Sequence, residues 1–228
     1  MIHVMMPERY SRFQAWVHDT WIADRALKLH DYFLEVGNLL SILAEKRSRT
    51  LLDVGCGGGQ AAIRMKEKYP YLRLTGIDTS EAMIASAINR ARIKDCEINF
   101  EIADAEAIPF QDSSFEVVYS FGSVKHWSNP LKGIGECWRV LKPGGELVIA
   151  DATSDATREE VENFFEIMRF PGLLKKPVVA ILLRGMFRPA RSVEVYQQIA
   201  AELEMPAGTV SHIPSMPTFL FRTRKPTA

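Results

Sequence analysis

Leu51-Leu52-Asp53-Val54-Gly55-Cys56-Gly57-Gly58-Gly59 reads as an apolar strand with a single acid near its end, running into a glycine-rich turn. Glycine has no Cβ, so such a turn admits a ligand close to the backbone and lets the chain reverse into a helix. The same glycines also serve a purely structural strand-to-helix turn. A helix over Gln60–Tyr69 follows and stops at Pro70. The spacing is not the dinucleotide pattern Gly-x-Gly-x-x-Gly, because Gln60 stands where the third glycine belongs. Asp53 suits a cationic ligand and disfavours a pyrophosphate.

Outward from this turn, strands and helices alternate. Leu72–Ile77 is a strand, and Ser80 caps a helix running to about Lys94. Glu97–Ile102 is a strand, Ala103–Ser114 a polar loop and Phe115–Phe121 a strand. Asn129-Pro130 opens a helix that ends near Leu141, since Pro143-Gly144-Gly145 forbids its continuation. Glu146–Ala150 is a fifth strand. Five strands, several wholly apolar and separated by helices, predict a parallel, doubly wound α/β sheet covered on both faces. Later elements are helices near Thr157–Arg169 and Ser192–Glu204. Strands near Thr209–Ile213 and Pro217–Phe221 follow, close enough for an antiparallel hairpin at one edge of the sheet. Residues 11–46 read as helix from apolar residues three to four apart. The chain divides as one domain, 1–228: a helical N-terminal lid (1–49), a core (50–151), a helical insertion (152–191) and a last helix with the hairpin (192–228).

The chain has 228 residues, with 28 Lys+Arg balanced by 28 Asp+Glu. Zero net charge argues against a general nucleic-acid binder, which needs a basic footprint. The charge is uneven, however: from Arg169 to Arg191 there are six basic residues and no acid. Cys56, Cys96 and Cys137 lack metal-ligand spacing and the density of a disulfide scaffold, and point to a reducing, cytoplasmic compartment. No signal peptide or membrane span is read, and no metal site is expected.

Two further acids end strands or follow them. Asp78, in Gly76-Ile-Asp78, lies 23 residues after Gly55, where a carboxylate can accept from both hydroxyls of a ribose. The alternative is a helix N-cap ahead of Thr79-Ser80. In Ala103-Asp-Ala-Glu-Ala-Ile-Pro-Phe110, Asp104 is placed to accept from an exocyclic amine and the Ala105 N–H to serve a ring nitrogen.

In order and interval, Leu51–Gly59, Gly76–Ser80, Ala103–Phe110, Phe115–Trp127 and Arg139–Ile149 resemble the motifs of class I S-adenosylmethionine-dependent methyltransferases. The small-molecule branch that includes the ubiquinone/menaquinone-type enzymes is the most similar. The likeness covers about residues 50–151. It implies a Rossmann-like seven-stranded sheet, order 3-2-1-4-5-7-6 with strand 7 antiparallel, S-adenosylmethionine as cofactor and a small-molecule acceptor. It further implies that Asp53, Gly55 and Gly57 hold the methionine moiety and Asp78 the ribose. Thr79 and Met83 would flank the adenine, Asp104 and Ala105 would meet its edge, and Ser120 and Phe121 would border the sulfonium. Thr79 departs from the larger apolar residue of many relatives, which shifts adenine packing toward Met83.

Phe121-Gly-Ser-Val-Lys-His-Trp127 resembles the family stretch with two histidines and an aromatic residue, with Lys125 in place of the first histidine. His126 is a substrate ligand or base, or it supports the loop; Lys125 binds an anionic substrate or is solvated. The basic run 169–191 caps an anionic substrate, makes a peripheral membrane contact, or is a solvated face. Two other functions stay open: a nicotinamide-linked dehydrogenase on a related fold, disfavoured by Gln60 and Asp53, and a cofactor-binding module without transfer activity.

Overall fold

The computed structural model describes residues 30–34, 43, 48–167, 189–206 and 210–227. Strand β1 (Thr50–Val54) is followed by α1 (Gln60–Lys68), β2 (Arg73–Asp78), α2 (Glu81–Ile93), β3 (Asn99–Ile102), β4 (Phe115–Phe121) and α3 (Pro130–Val140). Then come β5 (Leu141–Ala152), α4 (Arg158–Ile167), α5 (Val193–Glu202), β6 (Val210–His212) and β7 (Thr218–Arg224). The caps are those the sequence indicates. Ser80 Oγ accepts from the Met83 N–H at the start of α2, and Asn129 accepts from Lys132 N–H ahead of Pro130 in α3.

The strands form one sheet in the order β3-β2-β1-β4-β5-β7-β6. All pairs from β3 to β5 are parallel, and β7 is antiparallel to both β5 and β6. The expected order is therefore present, with β7 inside the sheet and β6 at its edge. Alternation along each strand divides the two faces. Leu51, Val117, Tyr119 and Val148 pack with Phe33, Met65 and Phe164, so α1, α4 and the helical segment 30–34 cover one face. Leu52, Val118, Leu147 and Ile149 pack with Ile134, Cys137, Tyr196 and Ile199, so α3 and α5 cover the other. Because β1 pairs with β2 on one side and β4 on the other, the chain diverges at the carboxyl end of β1 and opens a crevice there.

Two elements are longer than their patterns. β5 begins at Leu141, not Glu146, because Pro143-Gly144-Gly145 forms an irregular rung: Leu141 lies opposite Phe115 and Glu146 opposite Val117. Gly144 has φ +76°, and a Cβ at Gly145 would meet the Glu116 carbonyl oxygen at 2.9 Å. β7 runs on to Arg224, which pairs with Glu146, and the Lys225 ammonium bonds the Trp138 and Leu141 carbonyls. Most of the expected lid (1–49) and residues 168–188 of the insertion, with Lys175, Lys176 and Arg184, lie outside the described residues. Among the described residues, no helix is long and apolar enough to cross a membrane.

Two glycines of α3 separate helix propensity from packing. A Cβ at Gly133 would overlap the buried Trp127 ring, whereas one at Gly135 would reach Leu203 Cδ2 at an ordinary 3.6 Å. Alanine in a helix gains about 0.5–1 kcal/mol over glycine, and overpacking costs about 1–3 kcal/mol. Gly135→Ala should therefore raise the urea midpoint and Gly133→Ala lower it, both with unchanged m-values. Equal effects at the two sites would refute the close packing of Trp127.

Candidate functional site

The glycine turn is closed by one acceptor. The Ile77 carbonyl oxygen takes the N–H groups of Gly55 at 2.8 Å and Cys56 at 2.9 Å. Gly55, Gly57 and Gly59 all have φ between +53° and +77°, which only glycine adopts without strain. A Cβ at Gly55 would overlap Ser123 Oγ, whereas around Gly57 there is open space. The turn is thus packed at Gly55 and open at Gly57.

Asp78 closes β2 beside it. Its Oδ2 accepts from Gly57 N–H at 3.0 Å and its Oδ1 from Ser80 N–H at 2.9 Å. A carboxylate has about four acceptor positions, so two stay available to a ligand. The cap of α2 is Ser80, so the N-cap alternative for Asp78 is overturned. Burial raises the Asp78 carboxyl and the two backbone donors oppose this. Thr79 is exposed, whereas Met83 is buried in the first turn of α2.

Asp53 sits across the same turn, 2% exposed, with Oδ2 lacking a partner. Burial first and the Asp78 charge second push its carboxyl up to about 7. A buried carboxyl oxygen without a donor is a destabilising feature, and it fits an ammonium or sulfonium. With the open space at Gly57 and the free acceptor positions of Asp78, these residues fit S-adenosylmethionine. The exposed Asp104 folds its own loop, accepting from Glu106 N–H at 2.9 Å, while Ala105 is buried. That loop is tied to α3 by Arg139, which bonds the carbonyls of Ile108 and Phe110.

Beyond β4, Ser120 Oγ donates to the Val54 carbonyl at 2.7 Å, riveting β4 to β1, and Phe121 lies half-buried at the strand end. Lys125 is not solvated, which corrects that reading. Its ammonium is buried, 2.8 Å from Asp151 Oδ1 and 2.6 Å from the Gly122 carbonyl, while its N–H bonds Asp151 Oδ2 at 2.9 Å. Arg191 reaches the carbonyls of Lys125 and Trp127 at 3.5 and 3.1 Å. The loop 122–127 is therefore fastened to β5 and to the start of α5. His126 is exposed on a 3₁₀ turn, Val124–His126. The pattern reading missed Asp151, Tyr119 and His30, and it placed Arg191 only in the basic run. Asp151 carried a visible signal, an acid ending an apolar strand as Asp53 does. His30 carried none, because the rings it packs against, Tyr119 and Phe121, are remote in sequence.

A doubly wound sheet with one antiparallel strand, a glycine turn and acids ending β1 and β2 defines the class I S-adenosylmethionine-dependent methyltransferase architecture. Residues 52–149 match the family described as a methyltransferase domain. It is 34% identical over 112 residues to a demethylmenaquinone methyltransferase of Thermus thermophilus, covering 49% of this chain and 51% of that protein. It is 38% identical over 146 residues to a 27-O-demethylrifamycin SV methyltransferase of Amycolatopsis mediterranei, covering 63% and 52%. The chain thus spans about half the length of these curated relatives. In fold it is similar to a SAM-dependent methyltransferase of Aquifex aeolicus, with a TM-score of 0.67, 17% identity and coverage of 94% and 98%. These matches give the dehydrogenase alternative no support.

The two buried acids yield separate predictions. Asp53 ionises near 3.8 when unfolded and near 7 when folded. It favours folding fully below pH 4 and loses that contribution as pH rises through 7. Asn does not titrate, so Asp53→Asn should gain roughly 2–3 kcal/mol on the parent between pH 5 and pH 8 without ligand. A constant difference in urea unfolding would mean that Asp53 is ionised throughout. Lys125→Met leaves Asp151 as an unpaired buried charge and should cost about 3–5 kcal/mol; a loss within about 0.5 kcal/mol would return Lys125 to solvent.

Proposed function

We propose that the protein transfers a methyl group from S-adenosylmethionine to a small acceptor by in-line displacement. The observation that carries this is the unpartnered, buried oxygen of Asp53 beside a glycine turn that is open at Gly57. In this reading Asp53, Gly55 and Gly57 hold the methionine end, and Asp78 takes the ribose hydroxyls. Thr79 and Met83 flank the adenine, Asp104 and Ala105 meet its edge, and Ser120 and Phe121 border the methyl-bearing sulfur. The sulfonium supplies electrophile and leaving group when bound, so the protein's share is orientation and exclusion of water.

His126 stands at the acceptor's rim, and Lys125 acts by holding that rim through Asp151, not by offering its charge to substrate. An anionic acceptor suits the basic run Arg169–Arg191, and a cytoplasmic setting suits three free cysteines. Calorimetry with S-adenosylmethionine and S-adenosylhomocysteine should give low-micromolar affinity, about −8 kcal/mol. Asp78→Ala should weaken both at least tenfold, since hydrogen bonds to charged groups contribute about 1.5–3 kcal/mol each. No heat at millimolar ligand, or unchanged affinity in the variant, would refute the assignment. Tight binding without turnover of any acceptor would favour the binding-module alternative.

A further inference from the structure

Among the described residues, the buried polar atoms without a hydrogen-bond partner include Asp53 Oδ2, the Tyr119 hydroxyl and both ring nitrogens of His30. Asp53 and Tyr119 are register partners on β1 and β4, so their side chains project from the same face. The His30 ring stands edge-on to Tyr119 at 5.4 Å and to Phe121 at 5.7 Å between centroids. Phe33, one turn along the same helical segment, packs on Phe121 at 5.0 Å. His30 and Tyr119 are fully buried. Each such orphan is destabilising, and these, near the carboxyl ends of β1 and β4, suit a polar ligand group. The methionine end of the cofactor accounts for Asp53, but the roles assigned above leave His30 and Tyr119 without an occupant.

We propose that His30 is a catalytic residue which takes the proton of the methyl acceptor, and that the accepting group is a weakly acidic hydroxyl on a flat apolar ring seated against Phe121. This rests on the methyl-transfer reading. A lone pair of the hydroxyl oxygen forms the bond to the methyl carbon, and the carbon–sulfur bond breaks with its pair staying on sulfur. The hydroxyl proton passes to the unprotonated nitrogen of His30, which returns it to water after the methyl ether leaves. The Tyr119 O–H steadies the same oxygen.

The charged groups around His30 are Asp31 beside it, Arg64 of α1, which pairs with Asp31, and Asp53 beyond Tyr119. Burial pushes the imidazole down to about 4, against a smaller opposing pull from Asp31. It is therefore neutral at pH 7, one nitrogen accepting and one donating. So weak a base suits an oxygen, which becomes a strong acid as it bonds to carbon. It does not suit an amine, whose methylated ammonium holds its proton far more firmly.

The test uses the full chain labelled with ¹⁵N-histidine, loaded with S-adenosylhomocysteine and titrated with 4-methylcatechol, whose hydroxyls are protonated at pH 7. One imidazole, identified by its absence in His30→Gln, should shift on binding. With S-adenosylmethionine, wild type should methylate 4-methylcatechol, and His30→Ala should lower kcat about 100-fold or more while S-adenosylhomocysteine affinity stays within twofold. His30→Gln, which keeps size and an acceptor oxygen, should fold if the alanine variant does not, and should restore part of the rate. An unshifted imidazole, an unchanged kcat, or methylation of phenethylamine in preference to 4-methylcatechol would overturn the proposal. A parallel loss of S-adenosylhomocysteine affinity would assign His30 to the cofactor and also overturn it. Failure of wild type to bind S-adenosylhomocysteine would instead remove the methyl-transfer reading itself.

Discussion

One carbonyl oxygen, that of Ile77, accepts two successive N–H groups and so sets the geometry of everything at the carboxyl end of the sheet. It binds the end of β1 to the end of β2 at the point where the chain must leave the sheet and start α1. With Gly55 and Cys56 fixed, Gly57 falls opposite Asp78 and donates to it. The same closure presses Gly55 against Ser123, coupling the turn to the loop after β4. Three segments distant in sequence are thereby registered to one another without any of their side chains meeting in an ion pair.

The fold was legible where local chemistry decides it. Ser80 and Asn129 announce their helices because short polar side chains satisfy orphan N–H groups, and Val117-Val118-Tyr119 announces a strand buried on both faces. The early start of β5 was not legible, because Pro143-Gly144-Gly145 signals only a break; its pairing depends on Phe115 and on β7. The site was legible in its acids and glycines but not in their state. Whether Lys125 is solvated depends on Asp151, 26 residues away, and whether Asp53 is paired depends on what covers the sheet. Sequence spacing names such residues; only packing shows which charges are already satisfied.

That distinction divides the crevice into two kinds of polar group. Lys125, Asp151, Ser120 and Arg191 have their partners within the chain and hold the loops still. Asp53, Tyr119 and His30 do not, and their unmet hydrogen bonds lower the stability of the free protein. The two kinds lie on opposite sides of β4: the Ser120 hydroxyl ties down one face, while Tyr119 projects from the other. Preorganisation and unmet valence are thus built from alternating residues of a single strand.

The position of β7 also bears on how the sheet is completed. β5 carries the apolar run Leu147–Ala150, and its outer edge is covered only when Phe219–Thr223 align against it. Those residues come long after β5 in the chain, separated from it by the insertion with α4, then α5 and β6. A growing polypeptide therefore displays an unpaired apolar edge for most of that interval, a template for pairing with a neighbouring nascent chain. Until β7 aligns there, that edge is open to pairing with a foreign strand.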